Sequence, residues 1–530
     1  MQHLGLSGAS ESRSSHETVF HDAFDLVVAQ RDVLRYLGLI LVAMAPVIVF
    51  HRALVNGFVW DDYFNFVINH DYRGLGWTEL SWMFNSAQLS HWIPITWLTL
   101  GFDYLLWGMS PAGYHLTNLV FHSANACVFY LVAGRLLRAA VPAIEVIALQ
   151  AGSLASALFF AVHPLRTESV VWITERRDLV SGLFFLLAVW AYLRAREPDS
   201  ASRRWFAASV IFFQFGVMSK SIVVTLPIVL LILDAYPLRR LSISALREKL
   251  PYLPMALLGS FVAITVVGRD GGLVSFERLS LLDRIILVCH SAWFYLWKTA
   301  FPFALSPLYE LPQTVTATTP RFFVAIVGAV VITFFVLAVR RRWPAATAAW
   351  FAYLCILAPV SGGIHNGVQV AADRYTYLAG LPWALVFGGG VMFVARRGVA
   401  DALRPLVYKA SLAGIAGWIV VLAVLASTQT AIWRDDESLW RHALTRDPQC
   451  FVCHHNLGTV FAKTGRATEA VAQFERAVAL RPTASVPRGA LVMAYLSIQA
   501  EERADAEIRI LRSLDPDLAR TLSPAFVGTW

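Results

Sequence analysis

Residues 37–62 read LGLILVAMAPVIVFHRALVNGFVWDD. An uncharged run follows Arg31 and Arg35, and an acidic pair stands a short way beyond it, in Trp60-Asp61-Asp62-Tyr63. A bilayer-crossing helix needs about 20 apolar residues, so this stretch predicts a membrane anchor with carboxylates just past its far end. The polar, Ser- and His-rich residues 1–31 lack the basic start and early apolar stretch of a cleaved signal, so the anchor is expected to be retained. Across the 530 residues 57% are hydrophobic and 15% are charged, against about 25% charged in a soluble protein. That balance excludes a soluble enzyme, a disordered chain, a collagen and a disulfide-stapled secreted scaffold.

Further runs of spanning length recur, and the expected segments are 32–50, 114–134, 144–162, 178–193, 205–219, 221–237, 251–268, 321–339, 344–360, 376–395 and 410–428. The basic residues fall between them in clusters: Arg31 and Arg35; Arg135 and Arg138; Arg194, Arg196, Arg203 and Arg204; Arg239, Arg240, Arg247 and Lys249; Arg340 to Arg342; Arg396, Arg397, Arg404 and Lys409. Such clusters mark cytoplasmic loops. The formal charge of +8 is therefore a topology signal with lipid headgroups as its partners, and it points to no nucleic acid. The run 285–303 would break the alternation if it crossed, so it is expected to re-enter or lie at the interface. The count is about eleven, with 1–31 a cytoplasmic tail, 32–429 the membrane domain and the C-terminus outside. The outer loop 51–113 carries many Trp and two amphipathic stretches, 77–84 and 91–107, expected to lie along the membrane surface.

From 430 the composition is that of a soluble helical domain. A 34-residue tetratricopeptide pattern fits Leu457, Gly458, Phe461, Ala470, Phe474, Ala477 and Pro482, then Leu491, Val492, Tyr495, Ala504 and Pro516, with a preceding half in Trp440, Ala443 and Pro448. The expected fold class is all-α: a polytopic membrane bundle followed by a short α-solenoid over 430–530 on the outer face.

Several polar groups stand at the outer ends of the spans, where they are costly unless used or paired. Asp61 and Asp62 could take a proton from a hydroxyl or hold a divalent cation; the plain alternative is an acidic pair that marks a loop start. His115, Asn118, His122 and Asn125 share one stripe of a helix, for which interhelical hydrogen bonding is the plain alternative. His163 and Pro164 open a segment with Arg166, Glu168, Glu175, Arg176, Arg177 and Asp178, which Lys220 and Asp373-Arg374-Tyr375 join on the outer side. Arginine forks and a lysine suit a phosphate; internal pairing with Glu168, Glu175, Asp178 and Asp373 is the alternative. Cys450-Phe451-Val452-Cys453-His454 spells a haem-attachment motif. The repeat register gives His454 a packing place, however, so a local disulfide or two free thiols is expected instead of haem.

The order Val59-Trp60-Asp61-Asp62, Tyr114-His115-Leu116-Thr117-Asn118 with His122, His163-Pro164 to Glu168, Ser219-Lys220, Asp373-Arg374-Tyr375-Thr376-Tyr377, then repeats, resembles the transmembrane and tetratricopeptide-repeat O-mannosyltransferases, most of all their bacterial relatives. The resemblance covers about 32 to 516. It implies the GT-C class of membrane glycosyltransferases, a polyprenyl-phosphate sugar donor, a polypeptide acceptor presented by the repeats, and a bacterial inner-membrane location with the repeats periplasmic. It implies Asp61 or Asp62 as the base and Arg176, Arg177, Lys220 and Arg374 near the donor phosphate. His115, His122, His163, Arg166, Glu168, Asp373 and Tyr375 are expected to support the site. Relatives commonly carry a second His where Arg166 stands, and their repeat arrays are longer, which leaves the role of Arg166 and the choice of acceptor open. No metal requirement follows. A membrane-anchored repeat scaffold without catalysis is the rival expectation.

Overall fold

The computed structural model describes residues 32–197, 201–364, 367–400 and 405–522; the tail 1–31 lies outside the described residues. Each of the eleven expected segments carries helix. By length and composition five helices are able to cross a membrane: Asp32–Val55, Pro111–Ala140, Ile243–Arg269, Pro320–Ala338 and Leu406–Trp433. Two bent pairs, Val146–Val162 with Pro164–Val171 and Asp373–Ala379 with Leu381–Gly398, raise this to seven, and Ser221–Ala235 and Pro344–Val360 are shorter apolar helices. The chain is thus a multi-pass membrane protein. The run 285–303 falls in the helix Leu281–Ala300, which opens on a capping box between Ser280 and Asp283 and is not among the long apolar helices.

Small residues bring the central helices together. Val146–Val162 lies against Leu381–Ala400, and a Cβ added at Gly152 would stand 2.8 Å from the Gly388 carbonyl oxygen. Close backbone approach of this kind substitutes for a hydrophobic drive, which lipid tails do not supply.

The segments expected outside all meet at one end. Trp60 donates its N–H to Asp436 at 2.7 Å, Thr174 donates to Asp62, Tyr309 donates to Asp373, and Arg481 pairs with Glu310. Tyr309–Glu310 and Gln369–Ala371 form a two-stranded antiparallel ribbon, a small departure from the all-α expectation. The first outer loop supplies the helices Trp77–Asn85 and Pro94–Trp107.

At the opposite end the basic clusters are not left to lipid alone, which corrects the sequence expectation. Arg135 and Arg194 pair with Glu197, Arg196 and Arg240 with Glu248, and Lys249 with the fully buried Asp234 at 2.6 Å.

After the last long helix, helices Phe451–Lys463 and Ala467–Leu480 are followed by Ser485–Ser497 and Glu501–Leu514. Their starts are offset by 34 residues, 451 to 485 and 467 to 501. Gly458 meets the Phe474 ring so closely that a Cβ would stand 2.7 Å from it, which explains a glycine inside a helix despite its cost.

Candidate active site

The acidic pair divides in two. Asp62 is fully buried and accepts three hydrogen bonds: from the Val59 amide at 3.1 Å and from the Thr174 amide and hydroxyl at 2.8 and 2.7 Å. It ties the first outer loop to the 163–177 segment. Burial pushes its carboxyl up to about 7, against those three donors, which favour the charged form. Asp61 is partly exposed, and its carboxylate takes no hydrogen bond or ion pair among the described residues. Burial also pushes Asp61 up, to about 6, with Arg177 and Arg374 opposing the rise. A carboxylate with free lone pairs and a pKa near neutrality is what a general base needs.

Trp60 sets this geometry. Its φ of +56° turns the chain sharply, and its ring stacks on Trp172 at 4.6 Å and meets Trp440 edge-on at 5.0 Å. Left-handed backbone at a bulky residue is strained, and the stack holds it. Trp433 extends the stack from the other side of Trp172.

Three cations converge on one carboxylate. Glu175 receives Arg177, Lys220 at 2.9 Å and Arg374 at 3.2 Å. Lys220 also meets Asp178 at 2.6 Å, and Arg374 also pairs with Glu168. Arg374 lies over Trp172 and Tyr375. The three carboxylates balance the three cations, so internal pairing is realised here and no net positive patch is built. Asp373 accepts from Tyr309 at 3.0 Å, and the Tyr375 hydroxyl accepts from Gln369.

Other expected site residues stand elsewhere. Arg176 is fully buried and turned away from this cluster: it pairs with Asp103 at 2.7 Å, bonds to Asn118 and donates to the Tyr114 carbonyl at 2.8 Å. His122 lies between the Tyr377 hydroxyl at 2.8 Å and the Ala161 carbonyl at 3.0 Å. His163 reaches the Thr299 carbonyl and accepts from the Leu165 amide. Arg166 donates to the Thr376 carbonyl between the rings of Phe160 and Tyr377. These are contacts between segments distant in the chain, and for His122 they are the interhelical alternative named from the sequence. His115 is buried beside the Asn56 and Gly57 backbone, and among the described residues no hydrogen bond of good geometry closes on either ring nitrogen. Cys450 and Cys453 form a disulfide, and His454 lies against Gln473 and the Pro448 carbonyl. Among the described residues no group of three or more acidic, His or Cys side chains is placed to hold a metal.

Two participants were missed. Asp103 is the one acid in the apolar helix Pro94–Trp107, a signal that an internal cation exists for it. His91 is half-buried beside Arg177, Glu175, Lys220 and Arg374. Loss of hydration, helped by Arg177, holds it well below the usual histidine range and therefore neutral. Nothing local in Ser90-His91-Trp92 announces this.

Fold and site together describe a multi-pass membrane protein with a centre of carboxylates and cations near which the C-terminal helices join the first outer loop. No family model matches the chain. Protein O-mannosyl-transferase TMTC3 of Homo sapiens is 32% identical over 160 residues, 28% of this chain and 16% of that one. Mus musculus TMTC4 is 25% identical over 491 residues, 82% of this chain and 65% of its own, and Homo sapiens TMTC1 is 24% identical over 524 residues, 88% and 57%. The chain is a sequence relative of these transmembrane and tetratricopeptide-repeat O-mannosyltransferases. It spans about a sixth of the length of TMTC3. Among solved structures, ArnT from Cupriavidus metallidurans bound to undecaprenyl phosphate superposes over 90% of this chain and 78% of its own with a TM-score of 0.35 at 14% identity.

Proposed function

We propose that this chain is a GT-C-type membrane glycosyltransferase that moves a sugar, mannose by its relatives' names, from a polyprenyl phosphate to Ser or Thr hydroxyls of a polypeptide on the outer face. The observation that carries this reading is the unbonded Asp61 carboxylate beside Arg177 and Arg374. The acceptor oxygen attacks the anomeric carbon, its proton passes to Asp61, and the bond from that carbon to the phosphate oxygen breaks with inversion. The departing lipid phosphate carries the electron pair, and Arg177, Arg374 and Lys220 supply the charge that stabilises it. These three now share Glu175, so an incoming phosphodiester competes with that carboxylate for groups already held in place. Arg176 is left out of this role because Asp103 consumes it. The repeats would stand in the periplasm of a bacterial inner-membrane enzyme, as a tetratricopeptide module that positions the acceptor.

The internal pairing of every cation in the cluster favours the second reading, a membrane-anchored scaffold. Incubation of the purified chain with polyprenyl-phosphate mannose and Ser/Thr peptides, followed by mass spectrometry, separates the two. Transfer that Asp61→Asn abolishes supports the enzyme; full transfer by that variant removes Asp61 as base, and no transfer by the wild type favours the scaffold.

A further inference from the structure

Trp60 directly precedes Asp61, and its left-handed backbone, with φ at +56°, persists at a bulky residue only where the surroundings hold it. Three contacts hold this turn. Two are ring contacts, with Trp172 stacked and Trp440 edge-on. The third is polar: the Trp60 amide donates to Asp436 Oδ1 at 2.7 Å, across 376 positions of the chain. Further links run beside it. Gly57 donates its amide to the Arg434 carbonyl at 2.9 Å, the Asn56 side chain donates to the Thr430 carbonyl at 3.2 Å, and Lys463 lies 4.1 Å over the Tyr63 ring.

Asp436 is available for this contact because its neighbour does the capping. Asp435 is the N-cap of the helix Asp436–Arg446 and accepts from the Ser438 amide at 2.8 Å. An acid at the first position of a helix is favoured by the helix dipole, and that is the plain reading of Asp436. The dipole does not ask such a side chain to reach another segment, and this one reaches Trp60. The Asp61 carboxylate takes no hydrogen bond or ion pair among the described residues, so it is placed through the backbone on either side. On one side Asp62 is fixed by Val59 and Thr174; on the other the Trp60 amide is fixed by Asp436. Charge acts in the same place. Burial is the main cause that raises the Asp61 carboxyl, Arg177 and Arg374 oppose it, and Glu175 and Asp436 add to it. Asp436 itself faces Lys463 and Asp435.

We infer that Asp436 is a positioning residue for the base: its carboxylate fixes the Trp60 turn, so the C-terminal helices take part in aiming Asp61 at the acceptor hydroxyl. The inference rests on the proposed transferase reading and adds a residue which that reading leaves unused. The test uses the full chain in lipid nanodiscs with polyprenyl-phosphate mannose and Ser/Thr peptides. It reads kcat and kcat/KM against pH, with limited proteolysis near 430–436. Asp436→Ala removes the acceptor of the Trp60 amide. It is expected to lower kcat by about 10- to 100-fold, the scale of a misplacement of about 1 Å, with the donor KM unchanged and the junction still protected by its other links. Asp436→Asn keeps an acceptor oxygen and loses the charge. It should recover the wild-type kcat at high pH, while loss of a negative neighbour lowers the Asp61 ionisation, so the rise of kcat/KM moves to lower pH. A merely structural role would not move that rise. A wild-type kcat in Asp436→Ala, or a rise in Asp436→Asn at the wild-type pH, overturns the inference. If Asp436→Ala is cleaved at the junction, the pH of the Asp436→Asn rise decides alone. A wild-type chain that transfers no sugar rejects the transferase and the positioning role with it. Transfer that Asp61→Asn abolishes and both Asp436 variants leave unchanged rejects the positioning role only.

Discussion

Asp61 and Asp62 are neighbours in sequence, yet hydrogen bonding separates them. Asp62 spends its oxygens on Val59 and Thr174, while Asp61 keeps its own. Asp61→Asn is expected to lower kcat for transfer by about 10²–10⁴-fold with little change in thermal stability. Because the base must be unprotonated, kcat/KM should rise with pH through one ionisation near about 6 and level off above it. A pH–rate profile flat from 5 to 8 would contradict this. Asp62→Ala leaves buried amides of Val59 and Thr174 without an acceptor, at about 1–3 kcal/mol each, so the loss should appear in the melting temperature. Two cations should also differ. Arg176→Ala strands the buried Asp103 carboxylate and should destabilise by about 3–5 kcal/mol; Lys220→Ala leaves Glu175 its two arginines but takes the cation from buried Asp178, so it should both lower stability and raise the KM for the lipid donor. The candidate residues were readable because charges at the ends of apolar runs stand out. Which ones are free was not, because Asp103 and Arg176 are distant in the chain and meet only through folding.

Helices were the most readable level. Their positions follow from runs matched to bilayer thickness and from a 34-residue period, both local properties. Gly458 belongs to this level: it admits the Phe474 ring between paired helices. Gly458→Leu is expected to cost about 1–3 kcal/mol by overpacking, seen as earlier proteolysis of the repeat region while the membrane helices stay protected. Less readable were the helices that bend. Val146–Val162 continues at 55° into Pro164–Val171, and Asp373–Ala379 meets Leu381–Gly398 at 59°. A run length records apolar residues and is blind to such a break and to where the helix itself stops: five helices have the length and composition to cross, seven with the bent pairs, and the segments expected at 221–237 and 344–360 hold the shorter apolar helices Ser221–Ala235 and Pro344–Val360.

The joining of the repeat domain to the membrane domain depends on a few aromatic rings from distant segments. Trp433, Trp172 and Trp60 stack, Trp440 meets Trp60 edge-on, and the Trp60 amide reaches Asp436. Trp440→Ala should cost about 3–5 kcal/mol in that packing. Protease sensitivity is expected to appear near 430–436, together with a loss of transfer, because the Trp60 turn that presents Asp61 loses its support. Retained transfer with a freely cleaved repeat domain would show that the stack does not position the base. The sequence by itself determined that the chain crosses a membrane repeatedly, that a helical repeat follows, and that carboxylates and cations gather on one side. Those properties depend on residue type at short range. Only the tertiary structure decided that Asp61 is the unbonded carboxylate, that Arg176 belongs to Asp103, and that three cations share Glu175. Burial and pairing are set by what packs against each group, and in this protein the partners lie far apart in the chain.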